Sequence, residues 1–139
     1  RERGAGASVV FTGKVPHHEV LDYYALYDTF VVPRVDERAA RLVTPLKPYE
    51  AMAMGIPLVV SDLPALAEIT GHGQRGATFA TGNAQSLTEV LAGLINDPTR
   101  REGLADAARA WVLRERDWSH NGARYQSIYD EVRRSRSTS

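Results

Sequence analysis

No cysteine occurs anywhere in the 139 residues, which excludes disulfide staples and thiolate metal sites and suits a reducing compartment. Lysine is nearly as scarce: of seventeen basic residues only Lys14 and Lys47 are lysine, and the rest are arginine. Long apolar runs are missing too. No stretch reads as a transmembrane helix, and the opening RERGAGAS lacks the apolar centre of a signal peptide. Neither sign of charge is in excess, since seventeen acidic residues balance the basic ones, so no global field recruits nucleic acid or an anionic membrane. Electrostatic function must be local, and nucleic acid is not an expected partner. A cytoplasmic location, or peripheral attachment at the inner membrane face, is the expected setting.

What remains is a chain long enough for one domain with a proper core and too short for two. Residues 1–139 are expected to form a single unit, with the arginine- and serine-rich end, 131–139, frayed. Ser8 to Thr12, SVVFT, is β-branched and aromatic and stops at Gly13, as a buried strand would. Behind Pro16, Val20, Leu21, Tyr24 and Tyr27 fall at helical spacing. TFVV, 29–32, reads as a second buried strand closed by Pro33, and the polar stretch 34–43 as a long loop. Leu46 to Met54 is helical by composition and ends at Gly55, 57–60 is a third strand, and Asp62 with Pro64 opens another helix that runs to about Thr70. ATFA, 77–80, is a fourth short strand. Three helical segments come after it, divided at Asn96-Asp97-Pro98 and at 117–119.

Strands alternating with helices imply βαβ units, hence an α/β fold with a Rossmann-like parallel sheet and flanking helices. Right-handed crossovers gather the loops after the strands on one edge of the sheet, where ligands bind in such folds. At that edge Thr44-Pro45-Leu46-Lys47-Pro48-Tyr49-Glu50 leads from a loop into a helix, and its residue types meet the needs of a diphosphate. A helix's first turn has N–H groups without internal partners and the positive end of the macrodipole. Pro48 fits there because a missing N–H costs nothing, Lys47 adds a positive charge, and Glu50 lies one turn on, within reach of a ribose diol. Standing against this is a plainer reading, in which Lys47 and Glu50 form a surface pair on an ordinary helix.

The order VVFTGKV, LDYYALYDTFVVPR, TPLKPYEAMAMGIPLVVSD, ALAEI and a helical finish resembles the C-terminal nucleotide-sugar-binding domain of family 4 retaining glycosyltransferases, of the GT-B fold. The likeness spans roughly residues 8 to 132, and the central segment TPLKPYEAMAMGIPLVVSD is its specific part. It implies that Glu50 matches the second glutamate of a two-glutamate motif, the one that binds the ribose. Lys47 matches the residue that binds the diphosphate, and the backbone at Pro45 and Leu46 the turn beneath it. Gly13, Lys14 and Val15 match the region lying against the base. Arg34 stands where the family more often has serine. The motif's first glutamate, which touches the transferred sugar, is replaced by Leu42, so recognition of the sugar is expected to differ, with Asp36, Glu37 or backbone as alternatives. Arg34 or Arg41 could close over the diphosphate with a bidentate grip.

The resemblance further implies a partial C-terminal domain of a GT-B fold, without its first two strand-helix units and without the N-terminal acceptor-binding domain. Such a piece alone is expected not to turn over. With two strands absent from between them, VVFT and TFVV are expected to pair directly or to leave a sheet edge that another chain covers. The expected reaction is transfer of a glycosyl group from a nucleotide-diphosphate sugar to an acceptor with retention and without metal or other cofactor. The alternatives are a nucleotide-sugar epimerase of related fold or a non-catalytic nucleotide-binding module. His17, His18 and Glu19 do not suggest a metal site, because adjacent histidines point to different helix faces. Trp111, Trp118, Tyr125 and Tyr129 read as packing anchors of the last helices, and Glu68 as helix-stabilising.

Overall fold

A computed structural model of the chain describes residues 8–136. Its sheet has three parallel strands, β1 (Phe30–Val32), β2 (Leu58–Ser61) and β3 (Ala77–Phe79), in the order β1-β2-β3, with Val31 opposite Val59 and Val60 opposite Thr78. β2 is central and wholly buried, as its unbroken apolar run requires. Successive side chains of a strand point to opposite faces, and β2 divides accordingly. Leu58 and Val60 face a cluster with Met52, Leu66, Ile69, Ala108 and Val112. Val59 faces a second cluster with Ala77, Phe79 and Leu94.

The helices are α1 (Val20–Tyr24), α2 (Arg38–Leu42), α3 (Lys47–Ala53), α4 (Pro64–Thr70), α5 (Ala84–Asn96), α6 (Pro98–Glu115) and α7 (Trp118–Arg136), with a 3-10 turn at His17–Glu19 ahead of α1. Three of them, α3, α4 and α6, cover the Leu58/Val60 face, and α5 covers the other. Their ends obey local chemistry. Asn83 accepts a hydrogen bond from the Ser86 N–H at the start of α5, and Asp97 one from Arg100 N–H at the start of α6, where Pro98 takes the first turn. α3 closes on Gly55 at φ +75°, with Gly55 N–H bonded to Met52 O and Ile56 N–H to Ala51 O, a Schellman pair whose apolar contact is the buried Ala51 and Ile56. α4 closes in the same way on Gly71.

Several expectations change. Residues 8–12 do not form a strand: Val10 is 83% and Phe11 94% exposed, and no strand pairs with them. β propensity without a neighbouring strand has no ladder and no face to bury, so the segment stays extended and solvated. Among the described residues β1 pairs only with β2 and its other edge meets no strand, so VVFT and TFVV do not pair directly. The stretch 34–43 is not all loop, because α2 forms in it around the buried Ala40. Asp62 does not cap α4; its carboxylate instead accepts from the Thr81 N–H and hydroxyl, at 2.8 and 2.5 Å.

At the far end α7 continues to Arg136, so residues 131–136 are helical, while 137–139 lie outside the described residues. Tyr125 and Tyr129, expected to anchor this helix, are 59% and 66% exposed. The side chain of Trp118 lies outside the described set. Trp111, by contrast, does pack, with the Arg75 guanidinium 3.8 Å above its ring centroid and the Tyr49 ring 6.1 Å away.

Candidate functional site

The connection from β1 to β2 brings the candidate residues to the carboxyl edge of the sheet. After Val32 the chain turns at Pro33 and Arg34, where the buried Ser61 at the end of β2 donates its hydroxyl to Arg34 O at 2.9 Å and ties the loop to the sheet. The path then passes through α2 and the exposed Leu42, Val43 and Thr44 to half-buried Pro45 and exposed Leu46, the N-cap of α3.

α3 buries Pro48, Ala51 and Met52, a stripe at helical spacing. Lys47 and Glu50, three residues apart, therefore share the opposite, exposed face. They do not pair with one another, and the Lys47 ammonium has no ion pair or hydrogen bond among the described residues. The surface-pair reading thus has no contact behind it. No side chain caps α3. Leu46 O accepts the N–H groups of Tyr49 and Glu50, and Pro48 has none, so what the first turn can offer an anion narrows to the N–H groups of Leu46 and Lys47 with the ammonium beside them. At seven residues α3 has a short dipole, weaker at this end than the full charge of the Lys47 ammonium.

Among the described residues Glu50 has one partner. Its Oε2 accepts the Tyr24 hydroxyl at 2.9 Å, a contact between residues twenty-six positions apart. Burial chiefly, and this bond to Glu50 next, push the Tyr24 phenol up to about 12. Beyond Glu50 an open groove of roughly 350 Å³ runs between α3 and the end of α6, past Ala53, Val112, Arg116 and Asp117.

The other candidates are distributed less tightly. Arg34 extends along its loop, with Nη1 donating to Val43 O at 3.3 Å. The Arg41 guanidinium is held by Asp36 through both carboxylate oxygens, at 2.5 and 2.6 Å, and this grip keeps the Asp36 carboxyl below the usual range. In this conformation Arg41 and Asp36 occupy each other. Gly13, at φ +65°, and Lys14 lie exposed in the solvated N-terminal segment, and Val15 is half-buried at its end. Glu68 is exposed on α4. His17, His18 and Glu19 form an exposed turn, and no group of three or more metal-ligating side chains occurs among the described residues. No helix among the described residues is long and apolar enough to cross a membrane.

Tyr24, Arg116 and Asp117 were absent from the sequence-based site. Tyr24 fits a helix's core stripe and is buried as such, so nothing in its spacing signals a polar duty. Arg116 and Asp117 sit at a helix break, where sequence reads only punctuation.

Residues 1–111 match the family of glycosyl transferases group 1. The chain belongs to that family. Among curated proteins, this group 1 chain is 28% identical over 135 residues to the GDP-mannose-dependent alpha-(1-6)-phosphatidylinositol monomannoside mannosyltransferase of Mycolicibacterium smegmatis, covering 96% of this chain and 35% of the relative. It is 31% identical over 134 residues to a lipopolysaccharide core biosynthesis mannosyltransferase of Rhizobium leguminosarum bv. viciae, covering 94% and 36%. Among solved structures, the sucrose-phosphate synthase of Thermosynechococcus elongatus superposes with a TM-score of 0.80 at 23% identity, over 94% of this chain and 31% of that one. The C-terminal domain of a glycosyl transferase group 1 family protein of Francisella tularensis gives 0.65 at 20% identity, over 77% and 52%. These are GT-B folds, and the group 1 chain has the α/β architecture of their C-terminal portion. It spans about a third of the length of the curated relatives it matches.

Proposed function

We propose that this group 1 domain holds the nucleotide diphosphate of a sugar donor, and that the whole protein transfers the sugar to an acceptor with retention of configuration. The observation that carries the reading is the exposed face of α3, where a Lys47 ammonium without a partner among the described residues stands one turn before the Glu50 carboxylate at the sheet's carboxyl edge. Lys47 and the N–H groups of the first turn meet the diphosphate, and Glu50 accepts from the ribose hydroxyls. During transfer negative charge builds on the leaving diphosphate, and a fixed cation there lowers the barrier without a metal. Glu50 positions the donor and takes no part in bond making. The acceptor and any proton transfer belong to residues outside this chain.

The mannosyltransferase relatives make GDP-mannose the first donor to try, while Leu42, exposed where the family's sugar-contacting glutamate would stand, leaves sugar preference to other groups. Calorimetry of the intact protein with GDP, UDP and ADP tests the reading. Lys47→Ala is expected to weaken the best of the three by about tenfold or more, as loss of a charged hydrogen bond does. Chelation by EDTA leaves that affinity unchanged. Equal affinity of wild type and Lys47→Ala would sink the assignment. NMR of the glycoside formed from an α-linked donor should show the α-anomer.

A further inference from the structure

Glu50 is exposed, yet its carboxylate is not free to wander. A surface glutamate has three rotatable bonds, and freezing them when a ligand arrives costs affinity. Here Oε2 is already bound by a hydroxyl that cannot move. Tyr24 is 5% exposed and buried beside Ala51 and Ile56, its ring edge-on to Phe30 at 5.5 Å and tilted against Tyr27 at 5.7 Å. Its phenol donates to Oε2 at 2.9 Å, and Oε1 has no partner among the described residues.

We propose that Tyr24 is a positioning residue for nucleotide binding: anchored in the core between α1, α3 and β1, it fixes the Glu50 carboxylate in advance so that the remaining oxygen is presented to a vicinal diol. The inference rests on the reading of Glu50 as the acceptor for the ribose. Two features make the geometry suited to this. The hydroxyl reaches Glu50 from the buried side of α3, so it does not compete with a ligand for the outer face. The proton stays on the phenol throughout the physiological range, which keeps it a donor and leaves the carboxylate as acceptor toward the sugar. Preorganised carboxylates of this kind bind diols better than mobile ones because the ordering is complete before the ligand arrives.

The experiment compares ribo- and 2′,3′-dideoxy- forms of GDP, UDP and ADP by calorimetry on the intact protein, in wild type, Tyr24→Phe, Glu50→Gln and the double variant. Phe keeps every ring contact, and the melting temperature verifies that the fold is retained. Tyr24→Phe is expected to weaken the ribo form roughly threefold to tenfold, the loss of one hydrogen bond's worth of ordering, and to leave the dideoxy form unchanged. In the Glu50→Gln background the same substitution should have no further effect on the ribo-to-dideoxy ratio. A merely structural tyrosine would weaken both forms alike, and that result overturns the proposal. If Glu50→Gln removes the preference for the ribo form and Tyr24→Phe leaves it intact, the positioning role fails while the reading of Glu50 stands. If Glu50→Gln leaves the preference untouched, the reading of Glu50 fails and the positioning role with it.

Discussion

At the scale of single residues, the chemistry turns on which polar groups are spoken for. Arg41 and Asp36 satisfy each other, Asp62 is taken by Thr81, and Glu50 by Tyr24, whereas Lys47 faces water unpartnered among the described residues. An unpartnered cation has more to gain from an arriving anion than one already held in an ion pair. Tyr24 also gives the protein a measurable dependence on alkali. Its phenol ionises near 10.0 in an unfolded chain and at about 12 in the fold, so below pH 10 both states are protonated and pH has no effect through it. As pH rises toward 12 the unfolded chain ionises first, and up to ~3 kcal/mol of stability is lost over that window. Urea titrations at pH 9 to 12 should show wild type losing stability more steeply than Tyr24→Phe. Parallel curves would mean that the phenol is not held as described.

Among the elements, the junction of α4 and β3 is the least forgiving. Gly76 precedes β3, and a Cβ there would lie 2.8 Å from Thr70 Cγ2 and 3.1 Å from Leu58 O. Gly76→Ala is expected to cost ~1–3 kcal/mol, since neither the buried threonine nor the strand backbone can retreat. Chemical denaturation measures this, and Thr70→Ser in the same chain should recover part of the loss. Much of this level was legible in the sequence. Pro64 and Gly71 bracket α4, Asn83 and Asp97 start α5 and α6, and the apolar run 57–60 reads as a strand, because each of these signals is local. VVFT misled because a strand exists only with a neighbour, which no property of the segment itself supplies. α2 escaped notice since five residues around one buried alanine make no period. The candidate site was legible as far as α3, where Lys47, Pro48 and Glu50 carry their chemistry in one heptapeptide. Tyr24 was legible only as a core residue, because its bond to Glu50 crosses twenty-six positions.

On the scale of the whole molecule, the core lies on both sides of β2 and thins toward the two ends of the chain. No described side chain of α7 is buried, while Leu58, Val59 and Val60 are at most 1% exposed. Amide exchange followed by mass spectrometry should accordingly find α7 exchanging far faster than β2, in a separate opening event rather than with the global one. Equal protection of the two would refute this division. Among the described residues the outer edge of β1, on the side opposite β3, pairs with no strand, and Val10 and Phe11 are solvated. Between margin and core stands Trp111 on α6, with Arg75 stacked on its ring, Arg116 5.1 Å from its centroid and Tyr49, the neighbour of Glu50, against its side. That placement makes the indole an optical probe. With Trp118 replaced by Phe, the emission of Trp111 reports on any change in the Tyr49 and arginine contacts around it, so the surroundings of the lysine-bearing helix can be followed by light alone, without a labelled ligand or a turnover assay.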